Sequence, residues 1–455
     1  MSRQLVMRTL ALGLLLALPS LSIAAAEPNT QVPAGSRHYA ATTVPDRIVA
    51  SPAADSSHGF AVAWRTDGSV QAPLLEIAMA ADSPAIEGIR QVRATTRALQ
   101  TENGLSHHHR ADIDGLQPDT QYVYRVQGNG SWSAWNQLRT LAAADQPLTL
   151  LYFGDTQNKN VSHVSRVVRA AQKAAPQARM SLFAGDLVSG GDNMDDSEWG
   201  EWFAAVGWLA QEMLVAPAIG NHEYFEEFED TPQERRVLGR HWPVTFALPG
   251  NGASAAQQSS YWFDAQGVRV AVVDGTSALD LGTAKAQAQW LDKVLTGNPQ
   301  PWTIVLLHQP FYSPREGREN AALREVLLPV VRRHNVDLVL QGHDHTYGRR
   351  GEGQAATPQY VVTVAGPKQY RLSDEARRTM NPVAEDTQLF QVLNIDPQRL
   401  RYEARTVTGR LYDAFELRRD AKGGKQRMEL TEGRITPRDC PRAQTAKGRA
   451  DRCWE

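Results

Sequence analysis

Hydrophobic positions along this chain change rhythm twice. Between residues 44 and 142 they alternate with polar ones over short runs. Phe60-Ala61-Val62-Ala63-Trp64-Arg65-Thr66 and Tyr122-Val123-Tyr124-Arg125-Val126 are the clearest cases. Alternation of this kind predicts half-buried strands. Leu116-Gln117-Pro118-Asp119-Thr120 is a turn cluster ahead of the second run. Several short strands with turns between them predict a β-sandwich over 44–142. From Leu148 the runs become continuously apolar, at 148–153, 180–184, 214–219, 268–273, 303–307 and 336–340. These read as buried strands. Between them Val161, Val164, Val168 and Ala171 share one helical face, and 196–212, 283–295 and 320–334 read as helices. Strand alternating with helix predicts α/β layering over 147–370. After Phe390 the pattern is strand-like again, which predicts a β-element over 385–418 that completes the core.

Composition changes this picture little. The chain has 455 residues, enough for two or three domains. Its formal net charge of -2 gives no reason to expect a nucleic-acid partner. The ends add more. Arg3 and Arg8 flank the short apolar run Leu10 to Leu18, and Ala24-Ala25-Ala26 fits a cleavage site. Residues 1–26 therefore read as a signal peptide, which predicts a secreted or periplasmic protein. No later stretch is long and apolar enough for a transmembrane helix. Residues 27–43 read as a polar linker, and 419–455 as a polar tail. The tail holds the two cysteines, Cys440 and Cys453, which are expected to pair in an oxidising compartment.

The candidate chemistry sits where the apolar runs end. Gly154-Asp155, Gly185-Asp186, Gly220-Asn221-His222-Glu223, His308 and Gly342-His343-Asp344-His345 each follow a predicted buried strand. Strand ends of α/β proteins gather distant residues in one crevice. Two Asp, one Asn and three His suit two metal ions from the Fe, Mn or Zn group, while the absence of thiolates disfavours a structural zinc site. Two metals about 3.5–4 Å apart can clamp a phosphoryl group and a water together. Any one of these motifs alone is an ordinary turn, cap or strand terminus; the ordered set carries the signal.

These motifs, in this order, resemble the calcineurin-like metallophosphoesterases, in particular the purple acid phosphatases. Further segments carry the same resemblance. Trp64-Arg65-Thr66, Leu116 to Val126 and Leu138-Arg139-Thr140 resemble the fibronectin type III-like N-terminal domain of the plant-type members. His308-Gln309-Pro310-Phe311-Tyr312-Ser313 and Tyr412 to Leu417 resemble a catalytic segment and the closing strand. The resemblance implies a four-layer metallophosphoesterase sandwich of two β-sheets flanked by helices, preceded by an all-β fibronectin type III-like sandwich. It implies that Asp155 and His345 bind a first metal, that Asp186 bridges, and that Asn221, His308 and His343 bind a second. His222 would act on the transition state or leaving oxygen, oriented by Glu223. Metal binding would lower the pKa of water from 15.7 to about 7 and so supply a hydroxide nucleophile.

Two positions depart from the family. Ser189 stands where its purple members have a Tyr whose phenolate binds ferric iron. Gln157 stands where other metallophosphoesterases have a metal-binding His. The chain is therefore expected not to be purple, with Fe(II), Mn or Zn in the first site and Gln157 as a further, neutral candidate ligand. Asn158, His241, Tyr312, Arg315 and Tyr347 are candidate pocket residues, and 224–262 is a candidate rim over the site. The leading expectation is a hydrolase of small-molecule or head-group phosphate esters, acid phosphatase-like and acting on monoesters. A phosphodiesterase on nucleotide or phospholipid head-group substrates shares the same site. A secreted binding protein with a degenerate hydrolase domain is the third reading, and the complete ligand set counts against it. Oligomeric state is not legible.

Overall fold

In a computed structural model of the chain, residues 29–191, 194–228, 231–353 and 356–440 are described. The expected signal peptide at 1–26 lies outside them. The predicted sandwich is present as two four-stranded antiparallel sheets. One runs in the order Asp46–Pro52, Phe60–Asp67, Gly104–Ile113, Thr95–Thr101; the other in the order Arg90–Arg93, Leu74–Met79, Gln121–Val126, Asn136–Arg139. Alternation puts Trp64 and Tyr124 between the sheets, both fully buried.

The second unit is a mixed α/β fold built on two seven-stranded sheets. Leu214–Pro217, Met180–Phe183 and Leu148–Phe153 lie parallel in the first sheet. Leu389–Asp396 then pairs antiparallel with Leu148–Phe153, so a late strand sits in the middle of the sheet. The second sheet has Val268–Val272, Trp302–Leu306, Leu338–Gln341 and Gln359–Val362 as its parallel centre. Successive residues of one strand face opposite ways. Val270, Ile304 and Leu338 join the core shared with the first sheet. Ala271, Val305 and Val339 join a separate core with Leu291, Leu323 and Val331 of the outer helices. On the far side of the first sheet, Ser165–Ala174 buries Val167, Val168 and Ala171. Helices, sheet, sheet and helices make the four layers that the family resemblance implied.

Several boundaries differ from expectation. The helix predicted over 196–212 is broken into Asp195–Val206 and Leu209–Glu212. Gly207 stops the first with φ +54, a conformation that glycine adopts freely. The helix predicted over 320–334 is broken into Ala321–Val326 and Leu328–Arg333, with Pro329 starting the second. Residues 419–455 are not simply a tail, because Lys425–Glu429 pairs with Leu411–Arg419 and extends the first sheet. Cys440 is buried and disulfide-bonded; Cys453 lies outside the described residues. The linker is docked rather than free. The Tyr39 ring packs where a Cβ on Gly200 would clash, and the Tyr39 carbonyl accepts from Arg65 at 2.9 Å.

A buried charge cluster joins the two units. Asp196, at the start of its helix, accepts from Arg47 Nη1 at 2.7 Å, Arg65 Nη1 at 3.1 Å and Asn103 Nδ2 at 2.8 Å. All three donors belong to the sandwich side. Among the described residues no helix is long and apolar enough to cross a membrane.

Candidate metal centre

Each candidate ligand follows a parallel strand, and the carboxyl ends of the two sheets converge. Asp155, Asp186, His343 and His345 have φ of +43, +50, +74 and +48. L-residues pay about 1–3 kcal/mol for such conformations, which concentrate at functional sites. The glycines beside the ligands have a steric cause. A Cβ on Gly220 would lie 2.1 Å from Asp186 Oδ1, and one on Gly342 would lie 2.5 Å from Asp155 Oδ2.

Two groups of ligand atoms result, each within 4.8 Å: Asp155, Asp186 and His345, and Asp186, His308 and His343. Asp186 belongs to both. Asn221 Oδ1 completes the second group, 3.2 Å from His308 Nε2, which lies 3.1 Å from Asp186 Oδ2 and 3.0 Å from His343 Nδ1. His345 Nε2 lies 3.5 Å from Asp155 Oδ1. The outer nitrogens are fixed. His308 Nδ1–H donates to the Ala184 carbonyl at 2.6 Å and His345 Nδ1–H to the Lys368 carbonyl at 2.9 Å. That sets the tautomers and points the other lone pairs inward. Tyr370 packs on His345 at 4.8 Å between ring centroids.

Electrostatics follow from burial. Burial pushes the His345 imidazole down to about 3 and that of His343 well below its ordinary value. Both are neutral at pH 7, the form that binds a cation. Burial also raises the Asp155 carboxyl well above the usual range. Asp186 feels the same burial, but His308 and then His222 hold its carboxyl well below that range. His308 is lowered by burial and raised more strongly by Asp186, to about 9. Two neutral imidazoles, His343 and His345, beside the buried Asp155 and Asp186 side chains make a donor set that fits cations.

Gln157 is fully buried with them. Its Nε2 donates to Asp186 Oδ2 at 2.6 Å, and its Oε1 has no partner among the described residues. Ser189 accepts from Asn158 Nδ2 at 2.7 Å through its hydroxyl. The Ser189 carbonyl accepts from His222 Nδ1. This corrects the expected part of Glu223, whose carboxylate does not hold that imidazole. Glu223 instead accepts from the backbone N–H groups of Gly220 at 2.7 Å, Leu187 at 2.7 Å and Asp186 at 3.0 Å. Burial, then the Asp186 charge, raises its carboxyl to about 7. It ties two ligand loops together.

The candidate pocket residues divide. Asn158 is beside the site through Ser189. Arg315 lies over the Tyr370 ring at 3.9 Å and so stands behind His345. His241 faces Asp196 at 3.4 Å and stacks on Trp199, which places it in the interdomain cluster. Tyr312 packs edge-on against Tyr360, and its hydroxyl accepts from Arg332, so it belongs to the second sheet's outer side. Tyr347 is a core residue whose hydroxyl donates to Asp413 at 2.7 Å. Within 224–262, the hairpin of Tyr224–Glu227 and Arg235–Leu238 reaches the site through Arg236, which donates to the Asn221 carbonyl at 3.2 Å. Tyr370 and the Lys368 and Ser189 carbonyls carried no sequence signal, because a backbone carbonyl or a lone aromatic in a loop has no motif.

Residues 148–347 match the calcineurin-like phosphoesterase family, and residues 45–140 match the purple acid phosphatase N-terminal domain. The Fe(3+)-Zn(2+) purple acid phosphatase 12 of Arabidopsis thaliana is 28% identical over 289 residues, covering 57% of this chain and 56% of its own length. The chain thus spans little more than half of that relative. Among solved structures, a purple acid phosphatase from yellow lupin (Lupinus luteus) seeds superposes with a TM-score of 0.68 at 18% identity, over 84% of this chain and 75% of the other. PhoD superposes with a TM-score of 0.60 at 13% identity, over 87% and 94%. At these identities both show a shared fold. The chain therefore carries a calcineurin-like phosphoesterase domain behind a purple acid phosphatase N-terminal domain.

Proposed function

We propose that the protein is a binuclear metal-dependent hydrolase of phosphate esters, with monoesters as its first substrates. One observation carries this reading: a single buried carboxylate, Asp186, belongs to two ligand groups at once. Asp155 and His345 hold one ion, with the unpartnered Gln157 Oε1 available to it. Asn221, His308 and His343 hold the other. The oxygen and imidazole donors favour Fe, Mn or Zn. When bound, two such ions supply Lewis acidity, activating water and neutralising phosphoryl oxygens.

The chain's own groups do the rest. Asp186 also accepts from the His222 backbone N–H at 3.0 Å, which fixes that residue's place beside the cluster. The His222 ring is tethered through Nδ1 to the Ser189 carbonyl. Nε2 is left to meet the departing alkoxide and to give it a proton when the ring is charged. Glu223 acts as a positioning residue by binding three backbone N–H groups. With Ser189 in place of a phenolate, iron-loaded protein is expected to lack a strong visible charge-transfer band. Residues 1–26 are read as an export signal, 27–43 as a docked linker and 44–142 as a fibronectin type III-like sandwich.

Hydrolysis of 4-nitrophenyl phosphate and bis(4-nitrophenyl) phosphate, after reconstitution with Mn, Zn or Fe, tests the reading. Metal-dependent turnover that favours the monoester is expected, with Asp186→Ala losing turnover and bound metal together. A diester preference would reassign the substrate class. Full activity in Asp186→Ala would remove the bridging role.

A further inference from the structure

A cavity of about 1070 Å³ adjoins the metal centre, and none of the six ligand candidates lines it. Two of its lining residues connect it to the centre. Lys368 holds His345 through its carbonyl, and Asn158 holds Ser189, whose carbonyl holds His222. One lining residue thus touches His345 directly, and another reaches His222 through Ser189.

Its charge is one-sided. Lys159, Arg166, Lys368, Arg410, Arg434 and Arg438 line it, against one acidic residue, Asp386. Arg438 is paired with Asp386 at 2.7 Å, and Arg434 with Asp413 and Glu429, each at 3.0 Å. Arg166 donates only to the neutral Gln388 amide, and Lys368 lies over the Tyr370 ring at 5.6 Å. Arg166, Lys368 and Arg410 have no carboxylate partner among the described residues. On a chain of net charge -2 this is a local concentration of cations, and a concave cationic wall attracts anions.

We propose that this cavity seats a second anionic group of the substrate, so that the preferred esters carry at least one phosphate beyond the one cleaved. The volume lies just above the usual range for small-molecule sites, about 300–1,000 Å³. The proposal rests on the hydrolase reading and narrows its substrate class to polyanionic esters.

Two measurements test it. In the first, the metal-stripped full chain is titrated calorimetrically with inorganic tripolyphosphate, so that the metals cannot bind the probe. Wild type is expected to bind, and the double variant Arg166→Gln/Arg410→Gln to bind about tenfold more weakly. Both residues are exposed, so the fold tolerates the change. In the second, metal-loaded protein is compared on fructose 1,6-bisphosphate and fructose 6-phosphate. The wild type is expected to favour the bisphosphate, and the variant to lose that preference by about tenfold in the kcat/KM ratio. No tripolyphosphate binding by wild type, or equal binding by the variant, overturns the site. Weakened binding with an unmoved kcat/KM ratio overturns the substrate role and makes the cavity a site for free polyanions. Intact binding with no ester hydrolysed overturns the hydrolase reading and the substrate role with it, while the anion site stands.

Discussion

Two buried carboxylate clusters lie one short loop apart in this chain, at Asp186 and at Asp196, and they are built in opposite ways. Asp196 is met by guanidinium and amide donors from the neighbouring unit. Burial would push its carboxyl up, but Arg47, then nearby His241 and Arg65, hold it well below the usual range. Its charge is cancelled inside the protein. Asp186 and Asp155 are met mainly by imidazoles, two of them neutral, whose lone pairs face the same space. That arrangement is one that cations would complete. Burial and a low pKa therefore do not identify a metal site; the partners do. Guanidinium can only donate, and an imidazole can also ligate.

Swapping the test between the clusters gives the largest expected contrast. Asp186→Asn should remove turnover and bound metal while unfolding stays near wild type. Asp196→Asn should keep metal stoichiometry and lower stability by about 3–5 kcal/mol, since it leaves the buried Arg47 guanidinium uncompensated while Arg65 keeps Asp46. Metal analysis beside urea unfolding reads both, and metal loss in Asp196→Asn would break the contrast.

His222→Ala is next. It touches the metal cluster only through its backbone, so metals should remain while kcat falls by about a hundredfold. Loss of metal in that variant would make His222 a ligand.

Acid should separate the clusters more gently. The depressed Asp196 value means its pairing is fully present above the unfolded carboxylate value of about 3.9. The contribution is lost as pH falls below that, at up to about 1.4 kcal/mol per unit. Urea unfolding from pH 6 to 3 should fall less steeply in Asp196→Asn than in wild type, and equal slopes would show that the cluster does not govern acid stability. The smallest effect belongs to Gln157→Ala. It removes one neutral donor from the first site and should weaken metal affinity there by about tenfold. A metal titration that does not move would reduce Gln157 to a hydrogen-bond partner of Asp186.

The two clusters were not equally legible. Asp155, Asp186, Asn221, His308, His343 and His345 announce themselves because each follows an apolar run, most beside a glycine, and both signals are local. Asp196 looks like any acidic residue in a first helical turn, and Arg65 like an ordinary outward strand position. Their partners are far away in sequence. Glu223 was legible as a motif residue, yet its task was not, since its three donors come from the backbone of two separate loops. Tyr347 misled because nearness to His345 in sequence does not decide which side of a strand faces the site.

What the sequence determined by itself is the α/β layering, the sandwich ahead of it and the ordered set of candidate ligands. Periodicity, strand ends and glycine sterics act over a few residues. Tertiary structure alone decided that the polar tail supplies an edge strand, that a late strand enters mid-sheet and that Asp186 belongs to both groups. It also decided that six cations line a cavity beside them. Those facts depend on which distant strands pair, and on which loops the pairing brings to one wall.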